Sequence, residues 1–79
     1  MAVAGVEMNQ STLMHLVRSI STDLGLPFQL VSVIASDGQW EIVVKNTKTG
    51  RQCQFLVYDG PPPAMRRAII DRLEALVRT

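Results

Sequence analysis

The fold of this chain is decided by the stretch FQLVSVIASDGQWEIVVKNTKTGRQCQFLVY, which spans residues 28–58. Three runs within it, at 28–35, 39–45 and 51–58, are rich in β-branched and aromatic residues, which suit the pleated, half-buried surface of a sheet. The dipeptide DG at 37–38 favours a two-residue hairpin, because a type I′ turn needs a positive φ at both central positions. The sequence therefore predicts a meander of three antiparallel strands.

The pairing of the strands follows from the two turns. Across the first turn, Val33 is expected opposite Ile42, and Val31 opposite Val44. These pairs place four β-branched side chains on one face of the sheet. Trp40 alternates with them along the second strand, so we expect it to anchor the core.

The second turn leaves two registers open. A four-residue loop at 47–50 points Phe55 inward, whereas a three-residue loop at 48–50 points Gln52 and Gln54 inward. A one-residue slip exchanges the two faces of a strand, so burial of the apolar side chains favours the four-residue loop. The predicted core face then carries Val31, Val33, Ala35, Trp40, Ile42, Val44, Cys53, Phe55 and Val57.

The opposite face of the predicted sheet mixes polar and apolar side chains. Scattered apolar residues are ordinary on a protein surface, which is more than half apolar. Adjacent ones are less expected, and the register sets Ile34, Val43 and Leu56 side by side, as in a contact patch. We therefore expect a homodimer or another protein partner to contact this face or a sheet edge. The candidate protein-interaction residues are Leu30, Ile34, Val43, Leu56 and Tyr58.

Helical periodicity flanks the strands on both sides. Ser11 suits an N-cap, and Gly25 with Pro27 suits the end of a first helix at 10–24. A second helix is predicted at 64–78, after a rigid proline-rich link. Each helix has one apolar stripe, so burial of both on the apolar sheet face gives an α+β, two-layer sandwich of order α-β-β-β-α. Its predicted centre consists of Leu16, Ile20, Trp40, Phe55, Ile69 and Leu73.

Length and composition describe one folded domain. The chain has 79 residues, of which 47% are hydrophobic and 19% are charged, as is typical of globular proteins. We expect a flexible N-terminal tail at 1–9 and a single domain at 10–79. The sequence leaves open whether the tail folds back onto the domain or joins a sheet edge.

Charge and cysteine content limit the setting and the partners. The net charge of +1 gives no long-range attraction for nucleic acid or for an anionic membrane. Cys53 is the only cysteine, so no internal disulfide forms, which fits the reducing cytoplasm. No stretch approaches the roughly 18 apolar residues of a membrane span, and we expect no membrane contact.

The sequence contains no pattern typical of catalysis. Phosphate-binding loops, zinc and calcium spacings and nucleophile elbows are absent from it. Cys53 is predicted on the core face, where a thiol is usually inert, and His15 has no nearby carboxylate at helical spacing. We therefore expect no enzymatic activity, catalytic residue, cofactor, metal or small-molecule substrate.

One weak basic cluster provides candidate contacts for an anion or a nucleic acid. Arg66 and Arg67 lie in the predicted first turns of the second helix, where positive charge opposes the helix dipole. Together with Lys48 and Arg51 they could bind phosphate. The alternative is a solvated helix face on which Arg67 pairs with Asp71.

The predicted order of elements resembles that of the double-stranded RNA-binding domain, over about residues 11–77. The local likenesses are LGLP at 24–27, RRA at 66–68 and AL at 75–76. That family carries a lysine cluster where this chain has MRR, and a histidine-bearing loop where it has only the acidic Asp-Gly turn. The resemblance therefore implies a shared topology, which does not by itself imply function. Our first expectation is a non-enzymatic protein-interaction module, and the alternative is a nucleic-acid-binding domain.

Overall fold

A computed structural model describes residues 9–78, which form three strands and two helices. The elements are, in chain order, α1 (Gln10–Asp23), β1 (Phe28–Ser36), β2 (Gln39–Asn46), β3 (Gln52–Tyr58) and α2 (Pro62–Arg78). The strands form one antiparallel sheet in the order β1-β2-β3; α1 contacts β1, α2 contacts β3, and the two helices contact each other. The predicted α+β architecture is confirmed. Most of the predicted tail, at 1–8, lies outside the described residues.

Both turns of the sheet have the predicted lengths. Asp37 and Gly38 have φ values of 45° and 75°, as a type I′ hairpin requires. In the second turn, the N–H of Gly50 donates to the carbonyl of Asn46 at 2.7 Å, and Oδ1 of Asn46 accepts from two further backbone N–H groups of the loop. This loop gives the predicted pairing of β2 with β3, in which Phe55 points inward.

β1 contains a β-bulge at Val31, which changes the expected register. Leu30 pairs with Val44 and Ser32 pairs with Val43, so Val31 is an extra residue without a partner in β2. The insertion reverses the alternation of side chains along the strand. Val31, predicted in the core, is therefore 46% exposed, whereas Leu30, predicted on the opposite face, packs against the core. Both predictions were wrong for this one reason.

The core fills the space between the sheet and the helices. Trp40 is buried, as predicted, and its Nε1–H donates to Oδ1 of Asp59 at 3.1 Å. Leu16, predicted at the centre, is only partly buried, and Leu13 is fully buried on α1 instead. Ala35, predicted on the core face, is exposed beside the first turn. The buried apolar side chains are Leu13, Val17, Ile20, Phe28, Val33, Trp40, Ile42, Val44, Phe55, Val57, Met65, Ile69 and Leu73.

The helix ends partly follow the predicted signals. Asn9, which we assigned to the tail, is the N-cap of α1, because its side chain accepts the N–H of Thr12 at 2.8 Å. The predicted cap, Ser11, lies inside the helix. Gly25 follows the end of α1 with a φ of 64°, as predicted. α2 begins at Pro62 rather than at residue 64, because proline is tolerated in the first helical turn.

The two possible N-caps of α1 give a direct test. We expect Asn9→Ala to lower the free energy of unfolding by about 1 kcal/mol, because the N–H of Thr12 loses its acceptor. Ser11→Ala is the matched control, and we expect it to change that free energy by no more than about 0.5 kcal/mol. Both values can be measured by urea unfolding. A larger loss for Ser11→Ala than for Asn9→Ala would contradict the assignment of the cap.

The two outer edges of the sheet differ. On β1, the side-chain amide of Gln10 donates through Nε2 to the carbonyl of Val33 at 2.6 Å, so α1 covers this point of the edge. At the two ends of β3, Arg51 and Asp59 make backbone hydrogen bonds on the β2 side of the strand. Backbone groups alternate in direction along a strand, so the even-numbered residues of β3 direct theirs away from β2, toward the free edge. β3 also lacks the charged residues and proline that commonly protect an edge strand from pairing.

Candidate interaction surface

The open face is the surface of the sheet that faces away from both helices, and its side chains stand in rows across the strands. In one row, Glu41 of β2 lies between Ile34 of β1 and Leu56 of β3. The next row has Val43 at its centre, and Tyr58 stands in the row beside the first turn. We call Ile34, Val43, Leu56 and Tyr58 the apolar cluster.

The apolar cluster differs from the predicted patch in two respects. Glu41 separates Ile34 from Leu56, and Val43 lies diagonal to both, so these three do not form a continuous row. Leu30 is not on this face, since the bulge turns it toward the core. Diagonal neighbours on adjacent strands remain within reach of long side chains. The apolar cluster therefore borders Glu41, which the two turn lengths already placed on this face of the sheet.

Solvent reaches the apolar cluster to different extents. The exposed fractions are 51% for Ile34, 47% for Leu56 and 77% for Tyr58, while Val43 and Glu41 are half-buried by their neighbours. Neither α1 nor α2 packs on this side of the sheet. Single exposed apolar residues are ordinary, but an adjacent group on one face is typical of a contact surface.

The charged residues of the sheet and its turns are segregated by sign. Three acidic residues lie toward the first turn, and three basic residues lie toward the second. No ion pair within residues 9–78 joins the two groups; Glu41 and Lys45 are four residues apart along the extended strand β2, too far for a direct contact. We call these groups the acidic end (Asp37, Glu41 and Asp59) and the basic end (Lys45, Lys48 and Arg51).

The candidate anion contacts do not form a single cluster. Arg66 and Arg67 are exposed in the first turns of α2, which begins beyond the C-terminal end of β3. Lys48 and Arg51 lie beyond the opposite end of β3, and seven residues of strand extend over about 24 Å. Within the described part of the chain, Arg67 makes no ion pair with Asp71, so the predicted pair is wrong.

A groove of about 400 Å³ lies beside the link between α1 and β1. Its apolar lining includes Phe28 and Leu30, and its polar lining includes Arg18 and Ser21. The hydroxyl of Ser21 donates to the carbonyl of Phe28 at 2.9 Å, so it is already used within the fold. Arg18 is the one charged side chain in the described lining.

The other findings assign no chemistry to the chain. Among residues 9–78, no group of three or more His, Cys, Asp or Glu side chains is placed to hold a metal ion. Neither α1 nor α2 has the length and apolar character needed to cross a membrane. No protein-family model, curated protein or solved structure matches this chain.

Proposed function

We propose that this domain is a non-enzymatic protein-interaction module, either an adaptor or a subunit of a larger assembly, that contacts its partner through the open face. The observation that carries the proposal is the apolar cluster, which lies on the side of the sheet away from α1 and α2. Its removal from water would supply the driving force for association. Gln52 and Gln54 beside it provide the polar rim that protein interfaces usually have.

Two features weigh against a nucleic-acid-binding domain. The basic residues of the second turn and the candidate pair Arg66 and Arg67 lie toward opposite ends of β3, so they do not offer one continuous phosphate-binding surface. The Asp-Gly turn adds negative charge where the double-stranded RNA-binding domain carries its histidine-bearing loop. With a net charge of +1, weak or absent nucleic-acid binding stays our prediction.

We also propose a cytoplasmic setting for this module. Cys53 is the only cysteine in the chain, and it is a free, half-buried thiol in β3. A reducing compartment keeps such a thiol from oxidation and requires no disulfide for stability.

The test replaces the two best-exposed aliphatic side chains of the apolar cluster. We expect Ile34→Lys combined with Leu56→Lys to abolish association and to leave the domain folded, because both side chains are about half exposed. Association can be measured in cells by photo-crosslinking from a photoreactive side chain at position 43, which is diagonal to both residues. This probe captures a second copy and a different protein equally well.

The matched control adds the same charge elsewhere. Ser19→Lys combined with Ala75→Lys places two lysines on exposed positions of α1 and α2 and should leave the adducts unchanged. The proposal fails if position 43 yields no protein adduct, or if the adducts survive the open-face substitutions. It also fails if those substitutions unfold the domain, since the replaced side chains would then belong to the core.

A further inference from the structure

We infer that the partner of the open face is a second copy of this chain, stacked face to face so that β2 of one copy runs antiparallel to β2 of the other. The inference rests on the proposed function and adds the identity and the orientation of the partner. It is carried by the separation of the acidic end from the basic end on one sheet.

The charge pattern is self-complementary about Val43. Glu41 lies two residues before Val43 in β2, and Lys45 lies two residues after it, with both side chains on the open face. A two-fold axis that passes between the copies at Val43, perpendicular to the strands, sets Glu41 of each copy opposite Lys45 of the other.

The same axis lays the first turn, which carries Asp37, over the second turn, which carries Lys48. Asp59 faces the helix side, where it accepts the indole N–H of Trp40, and takes no part in this pairing. Opposite charges across an interface in this way fix its orientation.

The other face-to-face orientation is unfavourable. A two-fold axis parallel to the strands sets Ile34 of one copy opposite Leu56 of the other, which is good apolar contact. However, it also sets Glu41 opposite Glu41 and Lys45 opposite Lys45, within an interface from which water is largely excluded. Like charges at such positions oppose association.

In the antiparallel arrangement, Val43 meets Val43 of the other copy. Ile34 and Leu56 lie over Gln29 and Gln52 of the other copy. Charge, and not apolar matching, therefore selects this arrangement.

Pairing through the sheet edges is also unfavourable. Gln10 occupies the carbonyl of Val33 on the β1 edge. If two β3 strands paired antiparallel, the two sheets would join into one. Directly opposed residues of paired strands point to the same face, so the helices of both copies would lie on the same side of the joined sheet. The strands would then be about 4.8 Å apart, whereas the axes of packed helices need about 8–10 Å. Since α2 packs against β3, the two α2 helices would be brought close together on that side of the sheet.

The size of the open face implies a weak dimer. Three strands of about seven residues present a face of about 24 by 15 Å, less than the roughly 800 Å² that each partner contributes to a standard interface. The net charge of +1 adds almost no repulsion between copies. We therefore expect a dissociation constant in the micromolar range or weaker, and one that rises with salt concentration because opposite charges contribute.

Charge exchange in β2 tests both the partner and the orientation. Glu41→Lys gives an open face with lysine at positions 41 and 45, whereas Lys45→Glu gives one with glutamate at both positions. Two copies of the same variant then set like charges opposite each other. Each variant should therefore self-associate at least about tenfold more weakly than the wild type. An equimolar mixture of the two variants should form a heterodimer at least as tight as the wild-type dimer, because every cross-interface pair is again opposite in sign. Sedimentation equilibrium of the full chain between about 10 µM and 1 mM measures all three.

Each outcome decides for or against the second copy. Weaker self-association of both variants with recovery in the mixture supports the antiparallel homodimer. A wild-type chain that stays monomeric at about 1 mM overturns the inference, and so does a mixture that associates no better than its components. If crosslinking from position 43 captures only a different protein, the homodimer is overturned and the interaction module stands. If it captures no protein at all, both proposals fail.

Discussion

Trp40→Ala should lower the free energy of unfolding by about 3–5 kcal/mol, through the loss of buried aromatic surface and the cavity that remains. Trp40 lies in the central strand, is 8% exposed and donates its indole N–H to Asp59. A chain of 79 residues is expected to have only about 4–12 kcal/mol of total stability. The substitution should therefore remove a large part of the stability and lower the melting temperature strongly, which thermal unfolding followed by circular dichroism can measure.

The matched control is an aromatic residue on the other face of the same sheet. Tyr58 is 77% exposed, so Tyr58→Ala should change the free energy of unfolding by no more than about 0.5 kcal/mol. A Trp40→Ala variant with the melting temperature of the wild type would refute the pairing of β2 with its neighbours, because that pairing points Trp40 inward.

The second large effect comes from the bulge in β1. We expect Leu30→Ser to lower the free energy of unfolding by about 2–3 kcal/mol, because Leu30 packs against the core and serine would bring a hydroxyl to that position. Val31→Ser should cost less than about 1 kcal/mol, because the side chain of Val31 is 46% exposed. Urea unfolding of the two variants measures both values.

These adjacent substitutions serve as controls for each other. They place the same serine side chain at neighbouring positions of one strand, so local strand propensity contributes similarly to both. A continuous strand without a bulge would put Val31 in the core and Leu30 on the open face. The opposite ranking, with the larger loss for Val31→Ser, would therefore rule out the bulge.

Most of the fold could be predicted from local signals. The Asp-Gly turn and Gly50 specify backbone conformations that few other residues adopt, so they marked both hairpins, and burial of Phe55 then decided the register of β3. The apolar stripes of the helices and the alternation along β2 then left one face on which both helices could be buried. Turn residues and periodicity act over short distances along the chain, so the sequence alone was sufficient to predict the hairpins and the helices.

Two details of the structure depend on contacts that the sequence pattern does not contain. Leu30 and Val31 are both apolar, so alternation could not show which of them points inward. Asn9 and Ser11 are both good capping residues, and the choice between them depends on where the first turn of α1 packs. The position of Glu41 beside the apolar cluster, by contrast, followed from the register.

The contact between Gln10 and Val33 limits how far this sheet could grow. Fibre growth by strand addition needs a donor edge and an acceptor edge on every molecule, so that each added copy leaves a new site for the next. On the β1 side, the side-chain amide of Gln10 already donates a hydrogen bond to the carbonyl of Val33. An incoming strand would have to donate to the same carbonyl, so Gln10 opposes the addition of a strand at this point. Addition of one sheet to the β1 edge of another is therefore opposed for as long as the first turn of α1 holds Gln10 in place.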